Sequence, residues 1–482
     1  MRLVCLILTL LFLNIPFAFA KDILFDSPID LIYKKDCSLD EFCKEFVDDL
    51  DIEKFIKEHI ESDYVVVSLD ECLNVAFKNN FNIRIKDKEY FSEKYLYQNS
   101  LSKFLPILST TSYIADYSGQ ILVGGVLRDN FHETAISVNM TAQHDLTQGG
   151  RLIFEAKASK YFAKSKKHNL NFTRSEVVFY TTKYYYEMLL AKIYIEIYLR
   201  NLIERNAQLA LAKNLLKSGF GTNFDVIRSQ NFSLQARAKL IDALNNFRLS
   251  QSRLANLMGI DVNTSLMPFE DEIRPLNLVD ENLETESFFK LALDKREDLK
   301  AYRNLINYEK QLKNVLITDF IPKPLVNFQQ QFQGTADYGV NPNYILTGLI
   351  NWQPGENTIF GTITKINAQK EKIKQRMLEF ENKYRNIKQA IIDARSTSIF
   401  NEKQTKINKE RMEYSLHSIK LAMLRFNYGK GILLDVIQAQ SEATTARVEY
   451  VASIIRYNIS QAELLFNCGT ISIDEIIANY KP

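Results

Sequence analysis

The sequence predicts a mainly α-helical chain with a smaller share of amphipathic, membrane-type β-structure, built from one helix–strand–strand–long helix–turn–helix unit written twice. Three observations predict it. GFGTNFDVIRSQ, starting at Gly219, and GKGILLDVIQAQ, starting at Gly429, share the form G-x-G-x-x-x-D-V-I-x-x-Q. Residues 151–218 contain no Gly or Pro, and 357–427 are interrupted only by Gly361. Between the helical stretches lie short segments that alternate apolar and polar residues with a period of two.

The duplication comes first, because it fixes everything after it. A constant offset of 210 residues aligns Gly219 with Gly429, Gly221 with Gly431, Asp225 with Asp435, Gln230 with Gln440, Arg237 with Arg447, Gln251 with Gln461 and Gly259 with Gly469. Upstream, an offset of 216 aligns Ala76 with Ala292 and Pro106 with Pro322. The two units run from 68 to 260 and from 286 to 470. Residues 21–67 form an N-terminal extension outside the repeat, and 471–482 form a C-terminal tail.

The elements follow in order. MRLVCLILTLLFLNIPFAFA (1–20) has the charged, apolar, A-x-A order of a secretory signal peptide, with a retained membrane anchor as the competing expectation. Beyond it, no run of apolar residues is long enough for a transmembrane helix. Export permits a local disulfide between Cys37 and Cys43; two free thiols in the extension are the alternative. Residues 68–104 lack Gly and Pro, open on a Ser68–Glu71 capping box and stop at Pro106, which predicts one helix. A β-hairpin is expected over about 106–148. In ISVNMTAQ (136–143), Ile136, Val138, Met140 and Ala142 share one face and Ser137, Asn139, Thr141 and Gln143 the other. SGQILVGGVLRDN (118–130) and TADYGVNPN (335–343) are expected as loops at the hairpin ends. Gly149-Gly150 opens a long helix of ~100 Å, at ~1.5 Å per residue, over 151–218. The tip at 218–225 reverses it. The second unit repeats the plan, with a hairpin over 323–354, VNFQQQFQ (326–333) as its clearest strand, and a tip at 428–435.

Lengths tie the unit together. Segments 68–104 and 225–258, laid end to end, match the long stretch 151–218; 286–320 and 435–466 match 357–427 in the same way. Each unit is then a two-column helical layer with strands at one end and a tip at the other. The tip glycines stop the helix and supply a permissive backbone, and Asp225 and Asp435 fall where a carboxylate favours a helix start. An uncharged polar face opposite an apolar face fits a strand with lipid outside and water inside; a half-buried strand of a soluble sheet gives the same pattern. If the strands are in a membrane, four per chain are too few to close, and lipid tolerates no open edge. Three chains would close a 12-stranded β-barrel continuous with a 12-helix α-barrel.

Composition excludes several classes. Lys+Arg number 60 and Asp+Glu 58, so nothing points to nucleic acid. The five His form no H-x-x-x-H pair, and there is no G-x-S-x-G, P-loop or C-x-x-C. No enzyme, metal site or cofactor is expected. A periplasmic coiled-coil or adaptor protein that forms no channel is the competing expectation; it leaves the matched amphipathic strands without a purpose.

With these motifs in place, the chain resembles the TolC family of bacterial outer-membrane efflux proteins over about 68–470. The resemblance rests on the duplication, on VSLDECLNVAFKNNFNI (67–83), LALDKREDL (291–299) and DLTQGG (145–150), and on the two tips. It implies a homotrimeric channel-tunnel in the outer membrane with its helical part in the periplasm. It also implies an adaptor (membrane fusion) protein and an inner-membrane pump as partners, in efflux or type I secretion. By the same resemblance, Asp435 lines a constriction at the tips, with Gln438 standing where the family has a second acidic residue. Asp225 corresponds to a carboxylate that ties the coils to a neighbouring tip, but its partner position holds Phe426, not Tyr. Gly431 replaces an Arg that helps hold the tips shut. Gly219, Gly221, Gly429 and Gly431 are expected at the adaptor-docking tips. Trp352, Tyr344 and Phe332 are expected in membrane-interface girdles, with ordinary sheet packing as the alternative.

Overall fold

The computed structural model describes residues 64–123, 126–270, 273–279, 284–335, 339–353 and 359–480. The expected signal peptide, Cys37, Cys43 and most of the N-terminal extension lie outside the described residues. The chain runs β1 (Val65–Val67), α1 (Leu69–Asn79), α2 (Phe81–Ser102), β2 (Ile107–Val123), β3 (Val126–Asp145), α3 (Arg151–Lys217), α4 (Asn223–Met258) and β4 (Leu266–Pro268). It continues with α5 (Thr285–Lys295), α6 (Glu297–Ile317), β5 (Lys323–Thr335), β6 (Gly339–Asn351), α7 (Ile359–Asn427), α8 (Leu433–Cys468) and α9 (Ile473–Tyr480).

The long helices are as the missing Gly and Pro demand: α3 has 67 residues and α7 has 69. The helix expected over 68–104 is two helices. It breaks at Asn80, whose backbone leaves the helical region and whose Oδ1 accepts from the amides of Asn82 and Ile83 at 2.9 and 3.2 Å. The Asn80 Nδ2 donates to the Leu257 carbonyl at 2.7 Å, so a side chain caps α2 and ties it to the end of α4. The second unit breaks at Arg296, the position that the offset of 216 matches to Asn80. Arg296 forms a bidentate pair with Asp298 at 2.9 and 2.8 Å and donates to the Asn467 carbonyl at 3.0 Å.

A glycine closes each junction. Gly259 and Gly469 end α4 and α8 in the left-handed region, with φ of 71° and 76°. A Cβ on Gly259 would lie 2.5 Å from the Asn79 carbonyl oxygen, and one on Gly469 would lie 2.8 Å from the Arg296 Cα. Thus α4 abuts α2, and α8 abuts α6. Each pair makes one column beside a long helix.

The columns have a fixed order. On one flank α3 packs against α2 and α4; on the other it packs against α6 and α8, which in turn pack on α7. The four-stranded sheet has the order β2-β3-β5-β6, all antiparallel. Columns and strands therefore follow one another in the same sequence order, with both flanks open. Around the column junctions the layer thickens. There α1, the parallel pair β1–β4 and α9 bury Leu69, Leu73, Tyr185, Met188, Leu254, Met258, Leu266 and Ile476.

Both loop expectations are corrected: Thr335 ends β5, and 339–343 open β6. Most of 118–130 belongs to β2 and β3, which stay paired up to Val123 and Val126. Ile121, Leu122, Val123 and Val126 favour extended backbone strongly enough to carry the hairpin through it. A register shift between Gly119 and Ile121 absorbs the irregularity.

Candidate functional site: strand face and helical tips

The strand register sorts the sheet into rows. Leu108, Ala142, Phe328 and Leu346 stand side by side across all four strands, as do Ile114, Ile136, Gly334 and Val340. On the other face the rows are Ile107–Gln143–Asn327–Thr347, Ser109–Thr141–Gln329–Ile345, Thr111–Asn139–Gln331–Asn343 and Tyr113–Ser137–Gln333–Asn341. These four rows carry no charge. On the apolar face, Leu108 and Leu346 are 78% and 74% exposed, and no helix covers them. A soluble half-buried sheet would hide this face; here the hidden groups are polar, including the Ser137 hydroxyl and the side-chain oxygens of Asn139 and Asn327.

The strands feed the helices through a tight turn. Thr147, Gln148, Gly149 and Gly150 all have positive φ, between 46° and 93°. Gln148 Nε2 donates to Asp145 at 2.7 Å, and Arg151, opening α3, pairs with Asp319 at 3.0 Å from the second unit.

The two tips share a backbone but differ in chemistry. In the first, Phe220 and Gly221 both donate their amides to the Leu215 carbonyl, and Gly219 takes φ of 81°. A Cβ on Gly221 would lie 2.9 Å from the Leu216 nitrogen. Thr222 then caps α4 in a capping box. Its Oγ1 accepts from the Asp225 amide at 3.2 Å and donates to Asp225 Oδ2 at 2.6 Å. In the second tip, Gly429 has φ of 68°, and a Cβ on Gly431 would lie 3.2 Å from the Arg425 Cβ. The residue at the N-cap of α8 is Ile432, which has no side chain to cap with. Asp435 is exposed in the first turn and meets no side-chain donor among the described residues. Gln438, also exposed, donates to Glu442 at 3.2 Å. Asp225 is thus held within its own tip, and half-buried Phe426 has no hydroxyl to offer it. Phe220, Phe224, Tyr428 and Ile432 stand out into solvent.

A buried polar seam joins the two units just behind the tips, and the sequence reading missed it. Arg205 of α3 is 4% exposed. Its Nη1 donates to Gln208 Oε1 at 3.1 Å and to the Ile437 carbonyl of α8 at 3.2 Å, and its guanidinium lies 5.5 Å from the Phe232 ring centre. Burial pulls its pKa below the usual arginine value, and Glu204 opposes that. The available signal was a helical stripe, Leu202, Arg205, Gln208, Ala212, in which two polar residues occupy core positions.

The aromatics expected at the membrane interface fall at different levels. Tyr344 is exposed on the apolar side and Trp352 is exposed one residue past the end of β6, while Phe332 is partly covered beside Val138 and Pro342. Trp352 Nε1 donates to the Phe320 carbonyl at 3.3 Å, at the helix end of the sheet.

Comparison with known proteins agrees with this geometry. Residues 103–260 match the family "Outer membrane efflux protein". No curated protein matches the chain. Among solved structures, the CmeC outer membrane channel of Campylobacter jejuni superposes with a TM-score of 0.73 at 14% identity, covering 85% of this chain and 88% of that one. The outer membrane protein VceC of Vibrio cholerae gives 0.71 at 14%, covering 83% and 96%. The MtrE outer membrane channel of Neisseria gonorrhoeae, in its open state, gives 0.68 at 16%, covering 84% and 91%. Residues 103–260 match the outer membrane efflux protein family, and the described chain as a whole has the fold of TolC-like outer-membrane channels.

Proposed function

We infer that this chain forms the outer-membrane channel-tunnel of a tripartite efflux or type I secretion system. The observation that carries this reading is the matched pair of open flanks. Strands and helical columns run in the same order, so one repeated contact between copies closes both levels at once. Such a head-to-tail contact gives a closed ring when its rotation divides a full turn. Three copies supply twelve strands and twelve columns, above the ~8 strands that a membrane barrel needs.

The flanks carry the means to close. On one edge, α4 exposes Ile227, Leu234, Ile241 and Leu249. On the other, α7 exposes Phe400, Ile407, Tyr414 and Leu421. Both sets recur at about seven residues, the period of helices that supercoil around a partner. In the barrel, the apolar rows face lipid and the uncharged amide rows line the lumen. Tyr344 and Trp352, the latter one residue past the end of β6, are eight residues apart, ~27 Å of extended chain at ~3.4 Å per residue, close to the height of an outer-membrane apolar band.

At the far end, the tips meet an adaptor (membrane fusion) protein and an inner-membrane pump. Phe220, Phe224, Tyr428 and Ile432, displayed by Gly219, Gly221, Gly429 and Gly431, supply the docking surface. The constriction is lined by Asp435 with Gln438; three copies of Asp435 around one axis favour cations. The closing contacts of Asp225, Phe426 and Gly431 differ from those that the family resemblance implies.

The test is the native mass of the mature protein extracted from outer membranes in mild detergent, followed by conductance in planar bilayers. A trimer whose cation preference falls with Asp435→Asn supports the reading. A monomer or dimer released without detergent overturns it.

A further inference from the structure

We propose that Arg205 is a positioning residue that holds the second tip against the first unit, and that its bond to the Ile437 carbonyl must break for the tip to move. The proposal rests on the channel reading above and adds a residue that no resemblance assigned. Arg205 is a cation buried at the meeting of three helices. It projects from α3, its guanidinium faces the Phe232 ring of α4, and its Nη1 reaches the Ile437 carbonyl of α8. Ile437 lies two residues beyond Asp435, so the bond grips the first turns of the helix that carries the constriction residue.

The surroundings make this contact the firm one. No carboxylate lies within ion-pair distance of Arg205 among the described residues. Its charge is therefore spent on a side-chain amide, a carbonyl and a ring. The neighbouring seam is polar and under-used. Gln208 Nε2 and Gln440 Oε1 are buried without partners, and Thr444 reaches Asn201 only at 3.5 Å. An apolar seam would resist separation by its whole area. A polar seam with unspent groups loses little on wetting, so one charge-assisted bond decides whether it stays shut. The second tip needs such a hold, because α8 starts on Ile432 with no side-chain cap.

The experiment uses purified full-length protein in detergent and in planar bilayers. Wild-type mass and conductance establish the trimeric channel on their own. If they fail, the channel reading fails, whatever Arg205 does. Arg205→Met keeps the aliphatic stem and removes the charged donors. It is expected to keep the trimer mass and raise the open fraction about tenfold, the shift for losing one charge-assisted hydrogen bond. Arg205→Lys, which retains a cationic donor, is expected to restore most of the closed state. A disulfide engineered with Asn201→Cys and Thr444→Cys in the R205M background should abolish the gain when oxidised and return it on reduction. Trimeric R205M channels with wild-type conductance would overturn the proposal. So would oxidised cross-linked channels that open as readily as reduced ones. If R205M does not assemble, the Asn201→Cys, Thr444→Cys pair in the wild-type background decides: an open fraction that falls on oxidation and returns on reduction supports the hold, and oxidised channels that open as readily as reduced ones overturn it.

Discussion

Replacing Ile432 by Thr should write the first tip's cap into the second. The backbone is already set for it. Thr222 at the N-cap of α4 has φ −110° and ψ 154°, and Ile432 at the N-cap of α8 has φ −101° and ψ 156°. Each tip also has the same backbone bond, from the third helical residue back to the N-cap carbonyl, at 3.1 Å in both. The introduced hydroxyl would therefore find Asp435 placed as Asp225 is placed for Thr222. An N-cap side chain stabilises a helix start by about 1 kcal/mol. That is about a fivefold drop in fraying of the first turn. Hydrogen exchange followed by mass spectrometry on a peptide spanning 429–440 should show amides after Asp435 slowing by that factor. Thr222→Val in the first tip should speed the matching amides by a similar factor. The capped carboxylate should also contribute less to cation preference in bilayers. The reasoning is refuted if Ile432→Thr leaves exchange unchanged while Thr222→Val speeds it. That result would mean the second tip is ordered by something other than its own helix start.

Five further outcomes follow from the same geometry. Leu346→Arg places a charge in a fully apolar row and should cost about 2–4 kcal/mol, blocking assembly into outer membranes. Gln331→Arg, on the opposite face, should assemble normally and shift ion preference towards anions; fractionation and reversal potentials separate the two. Ile407→Asp puts a charge into the exposed stripe of α7 and should lower the detergent-extracted mass from trimer to monomer, with helicity by circular dichroism retained. Gly469→Ala forces a Cβ into the Arg296 backbone at a positive φ, and should destabilise by about 1–3 kcal/mol or more, read as a lower thermal midpoint. Glu297 gives a pH dependence. Burial opposes its ionisation, but bonds from His168, Lys300 and Asn171 outweigh that and hold its pKa below the usual glutamate value. A depressed folded-state pKa gives stability that is present above the unfolded value of ~4.3 and lost as pH falls through the folded one. Wild type should lose stability below about pH 4, and Glu297→Gln should lack that part of the loss.

The large plan was legible because it is written in strong local rules. Long Gly- and Pro-free runs have few alternatives to helix, and tips that need a positive φ keep their glycines in both copies. Alternation in 136–143 and 326–333 located strands, but it could not say what faced the apolar side. That answer needed the rows across four strands, which only register supplies. The break at Asn80 was illegible because the helical pattern continues through it without Gly or Pro. Only the distant Leu257 carbonyl and the close approach of Gly259 explain why the chain bends there. Arg205 was missed for a related reason. A lone arginine in a helix is nearly always solvated, and its burial depends on α4 and α8, which lie far along the chain or in the other unit.

Comparing the two copies locates function better than either does alone. The turns are matched residue by residue, so their shared glycines serve the fold. The differences fall around one contact. Thr222 faces Ile432 across the repeat, which leaves one tip capped and the other not. Phe232 corresponds to Glu442, so the ring beside Arg205 in the first unit is replaced by a carboxylate that accepts from Gln438 in the second. The first tip is therefore stabilised from within, and the second is held from outside, by a residue of the first. This asymmetry makes a directional statement. Weakening the cap at Thr222 should loosen one tip locally and leave the channel closed, whereas removing the Arg205 donor should release the tip that carries Asp435 and open it. A duplicated scaffold with identical tips could not distinguish these two substitutions; conductance of Thr222→Val beside Arg205→Met does.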